Sequence, residues 1–378
     1  MNKKIKFLII ALIGAVFGLI MAEIGLRHFH TLRYGYQFYL WPPYLSRKVS
    51  LAQGTFPGVS KDKNFYVNSL GMRGKEPTFK DEYRIVAVGG STTESPELDE
   101  SETWPYLLQE KLNGETHSVI WVGNTGRRGS TLHDNILHMY YVVSKLPNID
   151  AIILLAGIND FMFGLSKDFQ EFNPDSIKNP TINELDHAFL VHPYTKSGFK
   201  GTATWALIKQ LKIIFLGRKV TAYNEGEAQT YWRQKRQNAD NIDNSLPQLE
   251  RPLRNYENNL NLFIDMAKTK SERVILLTQP SLWKENMSEF EQELLWFGCF
   301  EENGYICYSP QVLNDGLTKF NQKTLEVCQK RQVECLDLAN KLTKDTTVFL
   351  DDVHYNENGS KEVTKVIFEY LISRAPFK

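Results

Sequence analysis

The stretch Arg84-Ile-Val-Ala-Val-Gly-Gly-Ser-Thr-Thr-Glu94 decides the fold. A short apolar run ending in two glycines and a serine reads as a buried strand that stops at a tight turn. That turn holds the Ser91 hydroxyl at the strand's carboxyl end. In open α/β sheets this edge is where ligands bind. Glycines there let the backbone approach a bound group closely and leave N–H groups aimed at it. A Gly-Gly-Ser turn alone is ordinary turn chemistry, so its meaning depends on what shares the edge.

Two further segments repeat the pattern. Val119-Ile-Trp-Val-Gly-Asn-Thr-Gly-Arg-Arg-Gly129 reads as a strand followed by a glycine-bearing loop. Ala151-Ile-Ile-Leu-Leu-Ala-Gly-Ile-Asn-Asp160 reads as a third strand ending in Gly-x-Asn-Asp. Helical spacing appears between them: a helix opening near Trp104-Pro105 with Leu107, Leu108 and Leu112, and another over 131–146. Alternating strands and helices argue for an α/β fold, with a central parallel sheet covered on both faces in three α/β/α layers. The rhythm lapses from 161 to about 253, where helical residues at 205–215 stand between polar runs. A stretch this long without β-α alternation reads as an insertion, open to being a lid, a partner surface or a mobile loop. The rhythm resumes with a helix at 256–270, a strand at 273–280, helical stretches at 288–297 and 313–330, and a strand at 333–338. Trp283, Trp296 and Phe297 in this part read as packing rather than sugar-binding. No internal repeat is visible.

Near the C-terminus, Asp351-Asp-Val-His354 precedes Tyr-Asn-Glu-Asn-Gly359 and an apolar-periodic helix containing Val363, Val366, Ile367, Tyr370 and Leu371. A carboxylate three residues before a histidine can accept the ring N–H and orient the imidazole as a base toward a serine. An oxyanion needs preorganised donors from several directions. The N–H groups of Ser91 and Gly129 and the Asn159 amide are the candidates. Each block taken alone is common turn or loop chemistry; the order of all four carries the reading.

On these residues the chain resembles the SGNH (GDSL-like) hydrolases. The matching blocks are Gly89-Gly90-Ser91, Asn124 to Gly129, Gly157-Ile-Asn159-Asp160 and Asp351-x-x-His354. The resemblance implies Ser91 as nucleophile, His354 as general base and Asp351 as its orienter, with Gly129 and Asn159 in an oxyanion hole. It covers about 83–160 and 330–375 well and the middle poorly. The family usually has Asp where this chain has Gly90, which marks a divergent branch. Asn68-Ser-Leu-Gly-Met-Arg-Gly74 upstream of Gly-Gly-Ser-Thr-Thr-Glu is similar to membrane-anchored bacterial members associated with envelope or exopolysaccharide functions. The implied activity is ester hydrolysis of an O-acylated substrate, such as an O-acetylated envelope or secreted glycan. An O-acyltransferase with the same triad and a non-catalytic polysaccharide-binding scaffold are the alternatives.

Lys3, Lys4 and Lys6 precede the charge-free run 7–22, and Glu23 and Arg27 end it. A positive segment followed by an apolar one reads as a signal or anchor. Ile20-Met-Ala22 is a poor cleavage site, so an uncleaved single-pass anchor over 1–27 is expected. Lysines stay cytoplasmic, which puts the rest outside the inner membrane. An aromatic- and Pro-rich lead-in spans 28–80, and the hydrolase domain spans 81–378 with the insertion at about 161–253. The four cysteines, Cys299, Cys307, Cys328 and Cys335, suit an oxidising compartment and two disulfides. Three connectivities are open, of which Cys299–Cys307 and Cys328–Cys335 are the shortest closures. Their spacing is not that of a zinc site, and no other metal-ligand spacing is present, so neither metal nor cofactor is expected. The formal net charge of zero argues against a nucleic-acid partner. There is no GxGxxG after the first strand and no P-loop.

Overall fold

A computed structural model describes residues 3–34, 38–51, 54–60, 62–78, 80, 82–192, 204, 226–301 and 305–377. In chain order the strands are β1 Ser46–Ser50, β2 Asp62–Tyr66, β3 Glu82–Gly89, β4 Val119–Asn124, β5 Ala151–Leu155, β6 Asn241–Asp243, β7 Arg273–Leu277, β8 Cys299–Glu301, β9 Tyr305–Tyr308 and β10 Glu334–Leu336. The central sheet is parallel, in the order β10-β7-β5-β3-β4. Its strands are nearly continuous apolar runs because both faces are covered; Ile85 to Val88 and Ala151 to Leu155 are all buried.

Connection handedness explains the layers. The β3→β4 and β4→β5 crossovers run in opposite directions along the sheet, so right-handed connections put their helices on opposite faces. One layer pairs helices Trp104–Glu115 and Glu357–Ile372, and the other packs Leu132–Tyr141 and Pro310–Arg331 against Glu250–Lys268. The direction reverses at β3, beside β5, and a crevice opens at their carboxyl ends. A hairpin of β1 and β2 and a small sheet β6-β9-β8 stand outside the main sheet.

The lead-in is part of this body. Phe38, Leu40 and Met72 belong to the main core, while Val49, Phe65 and Val67 form a second one. The described residues between 161 and 253 are not without structure. They hold helices Ile182–Ala188 and Glu227–Gln237, and β6 pairs with β9. Arg233 ties helix Glu227–Gln237 down by donating to the carbonyls of Thr55, Leu294 and Leu350. The helical fragment expected at 205–215 lies outside the described residues. The helix expected over 131–146 ends at Tyr141, because Val142 leaves helical geometry and a 3-10 turn, Val143–Lys145, comes next. The helical stretch expected at 288–297 is confined to Glu289–Glu293.

Disulfides join Cys299 to Cys307 and Cys328 to Cys335. The first links residues directly opposed in the β8–β9 ladder. Among the described residues, one helical segment, Lys3–Leu26, is long and apolar enough to cross a membrane. Its apolar side chains, including Phe7, Leu12, Phe17 and Ile20, are exposed.

Candidate active site

Ser91 comes directly after the β3 turn and opens the four-residue helix Ser91–Glu94, with Gly90 as its N-cap. Behind it stands Arg73, from the Asn68 to Gly74 segment. Its fully buried guanidinium donates to the carbonyls of Glu94, Ser95 and Leu98 and to the Glu100 carboxylate. Trp104 Nε1 donates to the Thr92 carbonyl. The turn carrying Ser91 is thereby clamped from the lead-in and from the next helix. Ser91 itself is only 4% exposed.

His354 comes to Ser91 from the other end of the chain, its Nε2 2.7 Å from Oγ. Its Nδ1 lies 2.8 Å from Asp351 Oδ2. A nitrogen facing a carboxylate carries the proton in the neutral ring, which leaves the Nε2 lone pair for the serine O–H. Asp351 is itself fixed: Oδ1 accepts from the Val353 and His354 N–H groups, and Oδ2 from Trp296 Nε1 at 3.0 Å. The neighbouring Asp352 accepts from Trp283 Nε1 and from the Trp296 N–H, both at 2.8 Å. This carboxylate therefore seats the tryptophan whose indole lies almost parallel to the His354 ring, with 9° between the planes.

Electrostatics result from burial and these pairings. Burial works against the His354 imidazolium, but Asp351 and then Glu97 outweigh it and raise the ring to about 9. Burial likewise opposes the Asp351 carboxylate, and His354 and its N–H donors overcome it, so Asp351 titrates low. Asp352 is pushed up by burial and by Asp351. A hydroxyl bonded to an imidazole backed by an ionised carboxylate is the arrangement that activates a serine.

The opposite wall is the loop after β4. Its anchors are Gly126 N–H to Asn124 Oδ1, Arg127 N–H to the Gly89 carbonyl, and Arg128 N–H to the buried Glu94 carboxylate. Gly129 sits at φ +77°, a conformation that favours glycine. Asn159, in the helix after β5, donates from Nδ2 to the Ser130 carbonyl at 2.8 Å and so bridges β5 to this loop. Among the described residues, the Ser91 and Gly129 N–H groups have no protein acceptor. A Cβ on Gly90 would stand 2.6 Å from Asn159 Nδ2, so in this chain the amide packs directly against the glycine.

Ser91, His354 and Asp351 are thus joined directly, and Asn159 and Gly129 share the facing wall. Sequence reasoning misses the supports: Arg73, Glu94, Glu97, Trp296 and Asp352. Glu94 and Asp352 leave a signal as polar neighbours of Ser91 and Asp351 in the motif blocks, and Arg73 as part of the Asn68 to Gly74 segment. Trp296 reads in the sequence as packing; it packs on His354 and also bonds Asp351. Among the described residues no group of His, Cys, Asp or Glu is arranged to hold a metal.

A three-layer α/β/α fold whose parallel sheet holds at its carboxyl edge a serine bonded to a histidine, itself bonded to an aspartate, is that of the SGNH-type hydrolases. Residues 87–361 match the model of the GDSL-like lipase/acylhydrolase family. The chain belongs to that family and is an ester hydrolase by membership. No curated protein matches it in sequence. Solved structures similar to it include a G-D-S-L family lipolytic protein from Veillonella parvula, with 13% identity over 76% of this chain and 97% of that one, at a TM-score of 0.40. A lipase/acylhydrolase from Enterococcus faecalis shows 13% identity over 78% and 98%, at 0.42. An acetylxylan esterase from Geobacillus stearothermophilus shows 12% over 77% and 95%, at 0.40.

Proposed function

We propose that the protein is a serine-dependent esterase that removes O-acyl groups, acetyl in particular, from an envelope or secreted glycan. The observation that carries the reading is the unbroken hydrogen-bond chain from Asp351 through His354 to Ser91. His354 takes the Ser91 proton as Oγ attacks the ester carbonyl. Asp351 holds the tautomer and stabilises the imidazolium that forms. The Ser91 and Gly129 N–H groups and the Asn159 amide receive the oxyanion. His354 then returns the proton to the leaving alcohol and activates the water that releases the acyl group.

The helix segment Lys3–Leu26 supports an anchor. With Lys3, Lys4 and Lys6 on the cytoplasmic side, the catalytic domain lies outside the inner membrane. The two disulfides fit an oxidising compartment.

The test is acetate release from a partially acetylated glycan by the full chain in detergent, beside Ser91→Ala. Release confined to the wild type is expected. Equal release by the Ser91→Ala protein refutes the nucleophile. Acetyl transfer that requires an added alcohol would make the protein an acyltransferase.

A further inference from the structure

A second Asp–His pair stands at the mouth of the site. His187, on helix Ile182–Ala188, places Nδ1 2.8 Å from Asp134 Oδ1. The Asp134 side chain is 5% exposed and that of His187 is 56% exposed. The other Asp134 oxygen accepts from the Thr131 N–H and hydroxyl, both at 2.7 Å, so the carboxylate is immobile. The imidazole is therefore oriented from behind by a buried anion while its far edge stays open. That far edge faces the oxyanion wall: His187 Nε2 is 3.9 Å from where a Cβ on Gly129 would sit. Among the described residues Nε2 has no hydrogen-bond partner.

His187 Nε2 thus borders Gly129, whose N–H is a candidate donor to the ester's carbonyl oxygen. We propose that His187, positioned by Asp134, is a specificity residue that donates from Nε2 to an oxygen of the substrate beside the reacting ester. The chemistry it selects is an oxygen-rich alcohol part, a sugar or polyol ester, over an alkyl ester, because an alkyl group there would desolvate a polar donor with nothing in return. This inference rests on the acyl-ester reading of Ser91 and deepens it.

The groups facing His187 set its charge. On its own helix the carboxylates Glu184 and Asp186 are paired elsewhere, with His133 and His192. From the packed helix Leu132–Tyr141 the facing groups are Asp134, His133 and His138, and from the loop after β4, Arg127. The Asp134 hydrogen bond outweighs burial and Arg127 and raises His187 above its ordinary value. The donor form therefore persists to higher pH than in an ordinary histidine and fades as pH rises.

The test compares glucose pentaacetate with p-nitrophenyl acetate on the full chain in detergent, for wild type, His187→Ala and His187→Gln. A donor lost to a charge-assisted bond is expected to raise the KM for the sugar ester roughly tenfold relative to that for the p-nitrophenyl ester. Glutamine, which keeps an N–H donor, should recover most of that ratio and remove its pH dependence. In a Ser91→Ala background, the imidazole NMR titration of His187 should move to higher pH when the sugar ester is added. An unchanged KM ratio in His187→Ala, an unmoved titration, or a wild type that cleaves only the p-nitrophenyl ester overturns the inference. Fluorophosphonate labelling of Ser91, measured in parallel, reports on the esterase reading separately.

Discussion

Gly90→Ala tests the wall facing Ser91 with a single methyl group. Gly90 sits at φ −90°, so alanine meets no left-handed backbone there and its effect comes from contact alone. The new Cβ would stand 2.6 Å from Asn159 Nδ2, and that amide must withdraw to about 3.4 Å for ordinary contact. The obstructing atom is the end of a side chain, so the amide moves and the fold survives. Its 2.8 Å bond to the Ser130 carbonyl is lost, and its aim at the oxyanion with it. Removing an oxyanion donor outright costs roughly 10²–10³ in rate, so displacing one should cost roughly 10–10² in kcat. The assay is p-nitrophenyl acetate turnover, with urea unfolding beside it to show an intact fold. Because the methyl acts through Asn159, it should cost under about threefold more once Asn159→Ala has removed the amide. An unaltered kcat in Gly90→Ala, or the same loss in both backgrounds, would refute the reasoning.

Four more outcomes are expected. The base must be unprotonated, so raising His354 to about 9 moves the rising limb of kcat/KM to higher pH, above the ordinary histidine value of 6.5; Glu97→Gln removes a charge that favours the imidazolium and should shift that limb to lower pH in a pH–rate profile. Asp351→Asn should lower kcat by roughly 10⁴, as an imidazole held in the wrong tautomer does. Trp296→Phe, which deletes one donor to the Asp351 carboxylate, should lower kcat by roughly tenfold in the same steady-state assay. Arg73→Met leaves the largely buried Glu100 carboxylate without its partner and should cost about 3 kcal/mol in urea unfolding.

The legible part of the sequence is local. β3, β4 and β5 stand out because parallel strands buried on both faces are short apolar runs; β3 stops at Gly89, β4 at Asn124 and β5 two residues before Gly157. Asp351 and His354 are legible because three residues separate them, and Ser91 because its turn has a signature. Their supports are distant in sequence: Arg73 reaches forward to Leu98, and Trp296 bonds Asp351. No periodicity encodes such pairs. Two helices begin earlier than the apolar spacing from 256 and 313 indicates; Pro252 and Pro310 lie in their first turns, where the missing N–H is unused anyway. His187 is invisible for a different reason. It sits in the stretch without β-α rhythm, and only its packing on helix Leu132–Tyr141 brings it to the site.

The most direct test of the account is covalent labelling of the full chain by a fluorophosphonate, with p-nitrophenyl acetate turnover alongside and Ser91→Ala as the comparison. An activated Ser91 should take up one label per chain and lose both labelling and turnover on substitution. A folded wild type that labels and turns over no faster than Ser91→Ala would contradict the claim that Asp351, His354 and Ser91 work as one chemical unit.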